Sequence, residues 1–312
     1  MSIDISIIIT QMQMFAFLIL AGYIMHKSGL IQERHIDGIL AFLTNVIFPS
    51  MLITMIPNSG SRAEIIANWK IPVTMVTFFF ITLFISFVIA RLLHFESRAR
   101  YRTHVIASCC GNAGFIGAPL CAVVFPELGI PVGFYVMCEA AICWLLGPVL
   151  ANPQSRFDIQ NLKRLANPTT IAILLGFLLA FLDIHPAGFV SWDTVTQIGA
   201  TTKYFASFYI GLNMARTGLR RIFTDARVLI TCACKLVLFP LGLYLVISRF
   251  GIFSGSLLGF FLIMGGTPTG MSVSIVTELA GGDREYILSA TMISTLLCLV
   301  TIPLIAQISK ML

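Results

Sequence analysis

The feature that most constrains this chain is a succession of apolar stretches, each long enough to cross a bilayer, joined by short polar connections. Crossing a hydrocarbon core about 30 Å thick takes roughly 20 helical residues. In lipid every backbone amide and carbonyl must be bonded within the protein, which leaves helices or closed barrels. The apolar/polar alternation of barrel strands, in segments of about ten residues, is absent. Ten spans are predicted, at 6–26, 36–56, 71–93, 103–125, 131–151, 168–184, 194–215, 227–249, 255–279 and 284–309. Only 11% of the residues are charged, against about 25% in a soluble domain. A soluble globular protein is excluded, and the expected class is an all-α, multi-pass protein of the cell membrane. The net charge of +6 is what basic cytoplasmic loops produce, so no nucleic-acid partner is implied.

Basic residues in alternate loops set the orientation. One set holds Lys27, Arg34, Arg91, Arg98, Arg100, Arg102, Arg156, Lys163, Arg164, Arg216, Arg220, Arg221, Arg227 and Arg284; the other holds Arg62, Lys70, Arg249 and Lys310. Positive residues stay inside, which predicts both termini on the non-cytoplasmic side; the even number of spans agrees, since it puts both termini on one side. No Lys or Arg precedes the first apolar run, so a cleavable signal peptide is not expected and that run is read as span 1. The eight cysteines, Cys232-Ala233-Cys234 among them, all fall in apolar segments without a His at ligand spacing. They read as small buried residues, and no disulfide, metal site or cofactor is indicated. His26, His35, His94, His104 and His185 lie in or near loops and read as solvated.

Sliding the chain on itself by 154 residues lays Phe17–Tyr23 over Ile171–Phe177, and Cys110-Gly111-Asn112-Ala113-Gly114 over Met264-Gly265-Gly266-Thr267-Pro268. Five spans per half is an odd number, so two such halves, 1–156 and 157–312, enter the membrane in opposite directions. Inverted repeats are a common transporter plan, with the site near the midplane where the halves meet. Spans 4 and 9 carry Gly117 and Pro119, and Pro268 and Gly270, in Gly-rich stretches. Gly and Pro weaken or break helices, and the backbone groups this frees need a substrate, water or side chain. The bland alternative is that such residues only allow close packing. Asn112 lies ten residues past Arg102, about 15 Å deep at 1.5 Å per residue, and its amide both donates and accepts, which suits a carboxylate at a helix break.

Three ionisable residues lie well inside spans: Glu139, Lys203 and Lys235. Intramembrane charges are expensive and read as functional by default. Glu139 and Lys203 sit at similar depths, so they either pair with each other or each serve a substrate. Lys203 offers a cation to a carboxylate or snorkels toward water. Lys235 either neutralises span-9 carbonyls or an anion, or pairs structurally. Asn45, Ser50, Thr267, Thr269 and Ser272 are polar at comparable depth, and such groups line a site or bond helices together.

The run Asn112-Ala113-Gly114-Phe115-Ile116-Gly117-Ala118-Pro119-Leu120 resembles the span-4 signature of the auxin efflux carrier family. So do Pro268-Thr269-Gly270, Glu278–Asp283, Lys235–Pro240 and Asn45–Pro49. That family includes the plant auxin exporters and bacterial carriers linked to malonate, malate and similar acids. The resemblance implies ten helices in two inverted five-helix repeats, with broken helices 4 and 9 crossing at the substrate site, as in sodium–proton antiporters and bile-acid transporters. It further implies a dimerising scaffold of helices 1, 2, 6 and 7, and an elevator movement of helices 3–5 and 8–10. Val273 stands where the plant exporters have their second crossover proline, so interruption of span 9 rests on Pro268 and Gly270. The plant carriers' long cytoplasmic loop is reduced to about 152–167. Glu139 aligns with a pocket glutamine of the plant exporters. A carboxyl there repels an anion when ionised and donates a hydrogen bond when protonated, which points to proton coupling. The function expected is a secondary carrier of small mono- or dicarboxylates. A sodium-coupled symporter of the bile-acid type needs a cluster of acidic ligands, and only Glu139 and Glu278 are at hand; protons or uniport are favoured over sodium. Ala280-Gly281-Gly282-Asp283 approaches the Gly-x-Gly-Asp motif of intramembrane aspartyl proteases, but Ala280 departs from it and no second membrane aspartate exists. No enzyme is expected, and Asp283 reads as the cap of span 10.

Overall fold

A computed structural model describes residues 4–310 except 153, 155–162, 164, 185, 187 and 219–224. The loop expected near 152–167, with the half boundary at 156/157, and Arg156, Arg164, His185, Arg220 and Arg221 lie wholly or largely outside the described residues. The described chain is helical: α1 Ile5–Lys27, α2 Glu33–Ser59, α3 Arg62–Ala67, α4 Lys70–Leu92, α5 Arg98–Cys109, α6 Ala113–Val124, α7 Gly129–Ala151, α8 Pro168–Phe181, α9 Val190–Ala200, α10 Thr202–Thr217, α11 Ala226–Arg249, α12 Ser256–Gly265, α13 Met271–Leu279 and α14 Arg284–Ser309. Among the described residues no strand forms, and the one isolated β-bridge joins Gly111 to Thr269. Among the described residues, six stretches are long and apolar enough to cross a membrane: α1, α2, α3 with α4, Pro126–Ala151, α11 and α14.

Three of the expected spans are each two helices. The chain leaves helical geometry at Cys110–Asn112 between α5 and α6, and at Gly266–Gly270 between α12 and α13. Both interruptions fall in Gly-rich sequence. The third, between α9 and α10, has no such mark. There Thr201 and Thr202 hydroxyls each donate at 2.6 Å to the Ile198 and Gly199 carbonyls, ending α9 by bonding groups that the next helical turn would have used.

Three π turns have a common cause. Leu43–Ile47, Ala113–Gly117 and Cys234–Leu238 are each followed two residues later by a proline: Pro49, Pro119 and Pro240. Proline removes a donor and pushes on the carbonyl four residues back. The residue before each proline instead donates five residues back: Phe48 to Leu43, Ala118 to Ala113 and Phe239 to Cys234. Each helix absorbs its proline as a π bulge.

Small residues bring the outer helices together. A Cβ on Gly22 of α1 would overlap the Phe208 carbonyl oxygen, and one on Gly211 of α10 the Ile19 carbonyl oxygen. Gly199 of α9 approaches the Met51 backbone of α2 almost as closely, and Gly176 of α8 sits in tight contact with Leu52 and Ile56. Such approaches drive helix association in lipid, where burial of apolar surface gives no advantage. Gly211→Ala is therefore expected to cost about 1–3 kcal/mol, as overpacking does. A lowered melting temperature in detergent checks this, and an unchanged one would contradict the close approach.

At the end bearing the basic loops, two polar layers tie α5, α11 and α14. Ser97, Asp225 and Asp283 cap these helices, and Arg100 reaches Asp283 at 2.9 Å and Asp225 at 3.5 Å. One turn deeper, His104 Nδ1 lies 2.8 Å from the Thr231 hydroxyl and 3.1 Å from that of Tyr286. His104 is fully buried, which corrects its reading as solvated. The arginine-rich turn just before it makes α5 look like loop, yet the ring points into the bundle between two hydroxyl-bearing helices.

Candidate functional site

The interruptions of α5/α6 and α12/α13 meet. Gly111 and Thr269 pair as an antiparallel bridge, and a Cβ on Gly270 would overlap the Gly111 carbonyl oxygen. Only a glycine admits that crossing. The Thr269 hydroxyl donates to the Ala107 carbonyl at 2.9 Å, and its amide to the Ser294 hydroxyl at 3.0 Å. Thr267, also buried, donates to the Met264 carbonyl.

Breaking a helix strands amides and carbonyls, and charged side chains take them up here. Glu139, buried on α7, accepts from the Gly111 amide at 2.7 Å with one oxygen and from the Ala113 amide at 3.0 Å with the other. Lys235, buried in the π turn of α11, donates to the Gly265 carbonyl at 3.0 Å. The anion thus meets the amide end of α6 and the cation the carbonyl end of α12, as the helix dipoles favour. Both charged groups lie 3.0 Å from the point where a Cβ on Gly111 would sit. They face each other across that glycine without a direct ion pair among the described residues.

Asn112, between the two amides that Glu139 holds, has φ −107° and ψ 55°, and its side-chain oxygen accepts from the Phe115 amide at 3.3 Å. The residue is 7% exposed, and its Nδ2 has no hydrogen-bond partner among the described residues. A buried amide donor left unpaired costs about 1–3 kcal/mol, a cost that an acceptor brought from outside would relieve.

Other residues singled out by sequence lie elsewhere. Asn45 and Ser50 donate to the Ala41 and Val46 carbonyls of their own helix. Lys203 is half-buried on α10 with its ammonium 5.1 Å from the Tyr204 ring centre, not beside Glu139. Ser272 is exposed in the first turn of α13, and Val273 is buried beside it. Gly117 faces Met264 and Thr267, where a Cβ would come within 2.9 Å of either. Pro119 lies past the π turn of α6, downstream of the break, while Pro268 is within the second break.

A cavity of about 770 Å³ opens between α10 and the α13–α14 pair. Its mouth holds Arg216, paired with Glu33 and Asp37, and Arg284, paired with Glu278. Its deeper wall holds Asn213, Ser274, Thr291 and Thr295, and it reaches Tyr209 and Met271. The Ser274 and Thr291 hydroxyls bond each other at 2.8 Å. Ser294 and this hydroxyl wall carry no intrinsic signal in a span rich in Ser and Thr. Ser294 stands 155 residues after Glu139, one off the internal shift, and does for the second break what Glu139 does for the first.

Comparison with known proteins adds the following. Residues 7–306 match a family model described as "Membrane transport protein". A protein of Rhizobium meliloti named "Putative malonate transporter" is 22% identical over 299 residues, covering 92% of this chain and 91% of that one. An "Uncharacterized transporter" of Methanocaldococcus jannaschii is 22% identical over 292 residues, covering 91% and 84%.

Proposed function

The chain belongs to the auxin efflux carrier family of membrane transport proteins, and from that premise we propose that it is a secondary carrier of small organic anions, mono- or dicarboxylates, with its site at the crossing of the two broken helices. It is a multi-pass membrane transporter and not an enzyme. The observation that carries the anion reading is the unpartnered, buried Nδ2 of Asn112 at the crossing. A carboxylate oxygen is the acceptor that this donor lacks, and Lys235 supplies a nearby positive charge.

Glu139 is the coupling group in this reading. Its two oxygens bond the amides on either side of Asn112. A proton on one oxygen removes an acceptor, frees one amide and loosens the segment that carries Asn112. Proton binding and anion binding thus act on the same three residues, a coupling of two ligands through one element. The ten-helix inverted-repeat plan fits two breaks that lie about one internal shift apart. Helices α1, α2 and α8–α10 make the scaffold through which two copies pair. The other long helices make the body that moves as an elevator, and both termini lie outside. The name of the Rhizobium relative supports malonate as the first acid to try.

The test is uptake of labelled malonate, malate, lactate and indole-3-acetate into proteoliposomes, with and without an imposed proton gradient. Uptake that follows the gradient and is lost in Asn112→Ala is the expected result. If Asn112→Ala transports at the wild-type rate, the site is elsewhere. A Glu139→Gln variant that keeps full gradient-driven uptake removes Glu139 from coupling.

A further inference from the structure

Neither Asn112 nor Phe115 is on the wall of the 770 Å³ cavity, although Tyr209 and Met271 are. Phe115, one turn after Asn112, packs against Tyr209, and Met271 lies against the same buried cluster. Its ring meets Tyr209 of α10 edge-on at 6.4 Å between centroids, and Phe48 of α2 at 5.8 Å, with interplanar angles of 79° and 78°. Phe48 cannot yield toward α6, because it lies on the backbone at Gly114, where a Cβ would be 3.1 Å from its ring tip. Phe115 itself is half-buried, so part of its ring has room to move. Its amide is the donor that holds the Asn112 side-chain oxygen.

We propose that Phe115 is the specificity-determining residue of the transport site: its ring, held between Phe48 and Tyr209, separates the Asn112 amide from the cavity and sets the bulk of the acid that can reach it. This rests on the anion-carrier reading and deepens it by naming the substrate class, compact acids of malonate size rather than acids bearing a fused aromatic ring. An acid no larger than the space left when the ring swings aside fits beneath it. A bulkier one meets Phe48, which cannot yield toward α6. Edge-on aromatic contacts suit such a door, since they are directional but small.

The experiment compares uptake of labelled indole-3-acetate with that of labelled malonate in proteoliposomes of the whole protein. The variants are Phe115→Ala, Phe115→Trp and, from the opposite side of the same contact, Tyr209→Leu. A change in pocket size by a few methylene groups shifts discrimination by about tenfold or more. The expected result is an indole-3-acetate to malonate ratio that rises about tenfold or more in Phe115→Ala, rises in Tyr209→Leu and falls in Phe115→Trp. Should Phe115→Ala fail to fold, Phe115→Leu and Tyr209→Leu must still raise the ratio. Malonate uptake with an unchanged ratio in every folded variant overturns the assignment and leaves the carrier reading standing. Absence of any carboxylate uptake in the wild type overturns both.

Discussion

Lys235→Met is expected to destabilise the protein by about 3–5 kcal/mol, the cost of removing one partner from a buried charge arrangement. Methionine fills much of the same volume, so the loss is electrostatic. It leaves the Gly265 carbonyl without its donor and Glu139 buried with no facing cation. Pairing the change with Glu139→Gln relieves part of this, because the uncompensated carboxylate is then gone. The double variant should melt closer to the wild type than Lys235→Met alone. Non-additivity of this kind is the signature of groups that share a network. Thermal melts of the four proteins in detergent read it directly, and strictly additive shifts would mean that the two residues do not sense each other across Gly111.

Gly270→Ala should have the largest effect on transport. The added methyl would overlap the Gly111 carbonyl oxygen, and neither backbone can move away without breaking the Gly111–Thr269 bridge. On the proposed reading, separating the two crossing segments by about 1 Å displaces Asn112 from its productive position, and a shift of that size costs roughly 100-fold in rate. Gly242→Ala on α11 is the control, because nothing lies within 4 Å of its Cβ position. Equal uptake by the two variants would remove the crossing from the transport path.

Much of this arrangement was legible in the sequence, and the gaps have physical reasons. Apolar run length marks helices such as α14, whose limits match the expected 284–309. Gly and Pro mark the two interruptions because they act through the backbone alone. What a charged residue in a span does is harder to read. Glu139 and Lys203 look like partners because depth is all that sequence reports, whereas the partners of Glu139 are amides that exist only once α5 and α6 part. Asn45 and Ser50 look available but bond their own helix, as short polar side chains do wherever a carbonyl lies one turn back. Phe115, one aromatic among 25 Phe, is distinguished only by the rings that meet it from α2 and α10.

The crossing also has a history in time. Glu139 and the two amides it holds are made early and belong to one stretch of chain. Lys235 and Thr269, which close the arrangement, follow only after about a hundred further residues, roughly 5–20 s of synthesis at 5–20 residues per second. During that interval a carboxyl at membrane depth has its local amides but no counter-charge, and the first interruption has nothing to cross. Glu139 is thus a temporary guardian of the newborn segment before it becomes part of the finished machine. On the proposed reading, the transport site is completed last, when the final third of the polypeptide threads into place.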